Sequence, residues 1–90
     1  MSEVIAVKSI VTPRQMRAAR ALLGWNLKET ADASGIGRAT IARFELESGE
    51  ARQATLDSLV RTFEAHGIVF FDDERGEGVA IEKRRKRGRS

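Results

Sequence analysis

The sequence contains no cysteine, one proline, one tryptophan and one histidine, His66. A disulfide framework, a thiolate zinc site and a cysteine nucleophile are therefore excluded, and a lone histidine makes no metal site. The composition fits a reducing cytoplasm. No apolar run approaches the roughly twenty residues that a membrane-spanning helix requires. The opening MSEVIAVKSIVT lacks a basic start, a long apolar stretch and a cleavage site, so the chain reads as soluble and unprocessed, with no membrane role. There is no nucleophile, base and oxyanion set, and GIG at 35–37 lacks the strand and lysine of a phosphate-cradling loop. We expect no enzymatic activity and no cofactor. Ninety residues suit one small domain with a modest core.

The net charge of +3 is unevenly distributed. The tail KRRKRGRS at 83–90 holds six of the sixteen basic residues and no acid, which leaves residues 1–82 at −3. A polyanion is therefore met by local clusters or by the tail, not by an overall positive field.

TPRQ at 12–15 opens a helix: Thr12 caps, Pro13 fits the first helical position and Gln15 completes a capping box. Met16, Ala19 and Leu23 recur at helical spacing, and Gly24 ends the run. Asn26 and Glu29 supply a second cap for a short helix that runs through Ala31 to Ser34 and stops at Gly35. A third helix begins at about Arg38, with Ile41, Phe44 and Glu45 inward and Ala39, Ala42, Arg43 and Leu46 outward. ESGE at 47–50 breaks the chain, and a fourth helix from Gln53 to His66 carries a stripe of Leu56, Leu59, Val60 and Phe63 before Gly67 stops it. GIVFFDDERGEGVAIEKR then shifts to strand-like patterning, predicting a β-hairpin of 68–72 with 78–82. VIAVKSIV at 4–11 reads either as a strand or as an ordered arm.

Two short helices separated by a glycine-containing turn form a helix-turn-helix, a shape that projects one helix clear of the protein body and into a major groove. Gly35 takes the positive backbone angle, Ile36 plugs the turn into the core, and Ala31 lets the helices approach.

Residues 14–66 resemble the lambda-repressor-like, or xenobiotic-response-element (XRE), family of helix-turn-helix regulators. The resemblance rests on Ala31, Gly35, Ile36, Arg38, Thr40, Ile41 and Glu45 within ETADASGIGRATIARFE, followed by TLDSLV. It implies a mainly α fold: a bundle of four to five short helices, here with a C-terminal β-hairpin and a basic tail. The division expected is an arm or strand at 1–12, a DNA-binding domain at 13–67, a dimerisation hairpin at 68–82 and a disordered tail at 83–90. It also implies that the third helix reads base edges, that the amino ends of the second and third helices hold phosphates, and that two subunits bind related half-sites. The chain departs from the family in carrying Leu27 where glutamine often opens the second helix, Gly37 where serine often caps the third, and Thr30 in place of a buried leucine. Leu27 and Trp25 are candidates to cover that smaller core position.

Arg38 and Arg43 are the candidate base readers, because an arginine fork suits the O6 and N7 of guanine; Ala39 fits a thymine methyl. Lys28, Gly37, Thr40 and Arg52 are the candidate phosphate holders. Lys83, Arg84, Arg85, Lys86, Arg87 and Arg89 form either a solubilising end or an arm that grips the phosphate backbone. Glu45 is expected to pair with an arginine of the first helix, with Arg17 the candidate, and so to orient the reading helix. Trp25 reads as a core or hinge residue, and His66 as a helix-terminal residue facing the helix dipole. Ile68, Val69, Phe70, Phe71, Val79 and Ile81 exceed what a two-stranded ribbon hides alone, so they serve either the chain's own core or a homodimer seam. The expected function is a cytoplasmic, dimeric repressor bound to double-stranded DNA at an inverted repeat. The rival is an antitoxin- or antiactivator-type module that sequesters a regulatory protein partner.

Overall fold

The structure, a computed structural model, describes residues 11–46 and 52–82. Four helices lead into a two-stranded hairpin: α1 (Pro13–Leu23), α2 (Leu27–Ser34), α3 (Arg38–Glu45), α4 (Gln53–Ala65), β1 (Ile68–Asp73) and β2 (Gly76–Ile81). This is the expected mainly α helix-turn-helix bundle with a C-terminal hairpin. The segments at 4–10, 47–51 and 83–90 lie outside the described residues, and with them the strand or arm and the basic tail read from the sequence.

Local chemistry sets the helix ends. Thr12 and Gln15 form the reciprocal capping box of α1, and Asn26 and Glu29 that of α2. Gly24 and Gly35 terminate those helices at φ 70° and 78°, where an L side chain resists the left-handed conformation.

The core is assembled from Met16 and Ala19 of α1, Ile41 and Phe44 of α3, Leu59, Val60 and Phe63 of α4, and Ile68 and Phe70 of β1. Phe63 is fully buried in it, with Trp25 at 5.7 Å and Phe70 meeting it edge-on at 6.2 Å. Thr30 is fully buried, and its hydroxyl donates to the Asn26 carbonyl at 2.9 Å, so the smaller side chain leaves no unsatisfied polar group. Leu27 and Trp25 pack half-buried against the same core.

The hairpin pairs antiparallel with Ile68 opposite Ile81 and Asp73 opposite Gly76. Its turn is therefore Glu74–Arg75, tighter than the sequence pattern indicated. The Asp73 carboxylate accepts the Arg75 N–H at 2.9 Å, and Gly76 adopts φ 133°, which lets the strands extend to the turn.

Gln15 holds the hairpin to α1. Its side-chain amide donates to the carbonyls of Phe71 at 2.9 Å and Gly78 at 3.0 Å, while its oxygen accepts the Thr12 N–H at 2.9 Å. Beside it, Glu77 accepts from the Thr12 hydroxyl at 3.0 Å and the Arg14 guanidinium at 2.8 Å, and Arg14 above all holds the Glu77 carboxyl below the usual range. Gln15→Ala removes half a capping box and two bonds to the hairpin from a residue only 4% exposed. The expected cost is about 2–3 kcal/mol in urea unfolding, with faster amide exchange in the hairpin. A loss below about 0.5 kcal/mol would remove Gln15 from this role.

Candidate nucleic-acid interface

One side of α3 is packed into the protein and the other is exposed. Ile41 is fully buried, and Phe44 and Glu45 are 8% and 4% exposed. Arg38, Ala39 and Arg43 point to solvent, with Thr40 and Ala42 half-buried at the margin. The helical period turns 39 and 43 away from 41, 44 and 45, whereas Arg38 shares the side of Glu45 and is exposed as the first residue of the helix.

Gly37 caps α3 in extended geometry, φ −63° and ψ 146°, and no side chain bonds the helix start. Its φ does not demand glycine, and a Cβ there would meet nothing within 4 Å. The partial positive charge of a helix amino end attracts anions. Lys28, on the first turn of α2, pairs with Asp32 at 2.9 Å, but both side chains are 67% exposed, so the pair is weak and easily exchanged. Arg52 is exposed at the N-cap of α4. The structure thus exposes Arg38, Ala39 and Arg43 on α3, with Gly37 and Thr40 at its amino end, and Lys28 and Arg52 on flanking helices.

The orientation of α3 is set from its carboxyl end. The Glu45 carboxylate receives Arg20 Nε and Nη2, each at 2.7 Å, and Arg20 Nη1 reaches the Trp25 carbonyl at 3.1 Å. One guanidinium thereby joins α1, α3 and the turn before α2. The Glu45 hydrogen bond raises the Arg20 pKa above its already high ordinary value. The expected carboxylate partner, Arg17, instead donates to the Glu45 main-chain carbonyl. The reason is position on α1: Arg20 follows buried Ala19 and lies one turn beyond buried Met16, so it borders the core, whereas Arg17 is exposed.

A helix-turn-helix family model matches residues 16–66, over half of the chain. The chain belongs to that family. No curated protein matches it. In general terms this helix-turn-helix protein is a DNA-binding regulator of the XRE type, and the exposed face of α3 lies within the matched region.

The hairpin residues of this helix-turn-helix protein divide between two environments. Ile68 and Phe70, 2% and 7% exposed, belong to the chain's own core, where Phe70 meets Phe63, and so do not form an outer seam. Val79 packs half-buried against that core, and the Phe71 ring lies across Gly78, where a Cβ would stand 2.5 Å from it. Val69 and Ile81 are left exposed, at 39% and 43%. His66 Nδ1–H donates to the Thr62 carbonyl, 2.9 Å away, and the ring meets Trp25 edge-on at 4.8 Å, a contact that sequence spacing did not reveal. Among the described residues, no helix is long and apolar enough to cross a membrane.

Proposed function

We propose that this protein is a transcriptional repressor that binds an inverted-repeat operator as a homodimer in the cytoplasm, each subunit laying residues 37–43 into a major groove. Arg38 and Arg43 read guanine edges and Ala39 a thymine methyl. Lys28, Gly37, Thr40 and Arg52 hold phosphates and set the register, while Lys83, Arg84, Arg85, Lys86, Arg87 and Arg89 add affinity that carries no sequence information. The observation that carries the reading is the exposure of Arg38, Ala39 and Arg43 on a helix fixed from behind by the core and by Arg20. Exposed Val69 with half-buried Phe71 on one face of the hairpin, and exposed Ile81 beside Val79 on the other, support the hairpin as the place where subunits meet. Two subunits place their reading helices about 34 Å apart, one turn of DNA.

Fluorescence anisotropy with a duplex from the gene's own upstream region, against a shuffled duplex of equal length and at two salt concentrations, tests the reading. A preference on the order of a thousandfold is the expected result. Equal, salt-sensitive binding to both, persisting after selection from a random duplex pool, overturns sequence-specific repression. No binding to any duplex moves the assignment to a module that sequesters a protein partner, which the exposed Val69 and Ile81 also suit.

A further inference from the structure

The hairpin aims backbone hydrogen-bonding groups outward along β2. Its loop has two residues, so Asp73 and Gly76 close it as a narrow pair, and narrow and wide pairs alternate from there. The Glu82 N–H to Gly67 carbonyl bond, 2.7 Å, continues the narrow series at the far end. The wide pairs are then Asp72–Glu77, Phe70–Val79 and Ile68–Ile81, and the N–H and C=O groups of Glu77, Val79 and Ile81 face the outer edge of β2. Among the described residues, no backbone bond outside the ladder reaches these three.

That edge is self-complementary. A second β2, antiparallel and related by a two-fold axis through Val79, sets Val79 opposite Val79 and each Glu77 opposite an Ile81, and every such pair exchanges two backbone bonds. Moving the axis to Gly78 or Ala80 loses one of the three pairs. No charge meets its like in this register: Glu77 faces the aliphatic Ile81, and Gly76 faces Glu82. The Glu82 carboxylate of one copy thereby comes beside Arg75 of the other, whose side chain is 81% exposed, and the two-fold axis repeats this attraction at the far end.

The helices of both copies then lie on the same face of a four-stranded sheet. Gln15 donates to carbonyls of both strands, at 2.9 and 3.0 Å, which places this part of α1 over the middle of the hairpin. Two hairpins side by side set these positions two strand spacings apart, about 10 Å, an ordinary distance between packed helices. Small and apolar groups occupy the side of α1 toward the β2 edge. A groove of about 370 Å³ lies there, lined by Arg14, Ala18, Glu77 and Val79 among others, and Leu22, 43% exposed, follows Ala18 by one turn on the same stripe.

We propose that the outer edge of β2 is the seam between two copies of this chain, joined as one antiparallel sheet centred on Val79. Val79 and Ile81 of the second copy cover the groove, and α1 meets its counterpart along Ala18 and Leu22. Pairing satisfies the edge groups and closes an edge that otherwise invites other chains. The inference rests on the homodimer reading above and specifies the surface and register that such a dimer uses.

The absence of native cysteine gives a clean test in the full-length chain. Val79→Cys sets two thiols opposite each other at a narrow pair, about 5.5 Å between Cα atoms and within disulfide range. Mild oxidation is expected to produce a disulfide at dimer mass in most molecules. Ile81→Cys, whose two copies lie about 14 Å apart across the axis, is expected to produce none. In the unmodified protein, under conditions where sedimentation velocity shows a dimer, the Val79 and Ile81 amides are protected from exchange. A dimer whose Val79→Cys variant forms no disulfide, an Ile81→Cys variant that cross-links as fully, or freely exchanging Val79 and Ile81 amides in the dimer would each overturn this seam and leave the homodimer to another surface. A chain that sediments as a monomer from micromolar to millimolar concentration would overturn the homodimer reading itself, and the seam with it.

Discussion

Arg20→Ala lowers the unfolding free energy by about 3 kcal/mol, the lower end of the loss seen when one member of a buried ion pair is removed and the other is left uncompensated. The Glu45 side chain is only 5% exposed, so its carboxylate has little water to turn to, whereas the Arg20 side chain is 23% exposed, which places the effect at the bottom of that range. For a domain of this size each kcal/mol moves the melting temperature by roughly 4–8 °C, so thermal unfolding should shift down by more than about 12 °C. A loss below about 1 kcal/mol would class the pair with ordinary surface ion pairs and remove Arg20 from this role.

Stability alone does not separate a strut from a clamp on α3. Replacing both partners with apolar groups, Arg20→Met with Glu45→Leu, restores stability to near the starting value, since apolar pairs of similar volume often match buried ion pairs. It does not restore the link from Arg20 to the Trp25 carbonyl or the bidentate geometry that fixes the carboxyl end of α3. The double variant is therefore expected to fold and to bind DNA more weakly than the parent.

Features determined within one helical turn were legible from the sequence. The Thr12–Gln15 and Asn26–Glu29 boxes, the glycine stops at 24 and 35, and the outward Ala39, Arg43 and Leu46 all follow from spacing, because capping and helical period are local; Ala42, also read as outward, is half-buried at the margin. Which arginine meets Glu45 depends on how α1 crosses α3, a property of no single window. The second role of Gln15, between the hairpin carbonyls, was hidden because its capping role already explained it. Ile68 to Phe71 is apolar at all four positions, so period gives no facing; the side of β1 that enters the core is decided by Phe63 and the other helices. The Lys28–Asp32 pair was readable from its four-residue spacing.

Arg38→Ala and Arg43→Ala should each cost about 1–3 kcal/mol on the cognate duplex and little on random DNA, because a fork donating to two guanine acceptors matters only where that guanine is present. At 1.4 kcal/mol per tenfold, the dissociation constant should rise roughly 5- to 150-fold. Lysine at the same positions separates geometry from charge: it keeps the attraction to phosphate and loses the planar two-donor fork, so non-specific binding should persist while discrimination falls. Removing 83–90 should do the reverse, weakening cognate and random duplexes together and lowering the log–log salt slope by roughly 0.9 for each phosphate that the tail no longer neutralises. These opposite signatures follow from where the charges sit. The tail holds six basic residues without an acid among them, whereas Arg38 and Arg43 project from a helix whose orientation is set by Arg20. Equal losses on both duplexes for Arg38→Ala and Arg43→Ala would make them phosphate binders and leave sequence reading to other groups on α3.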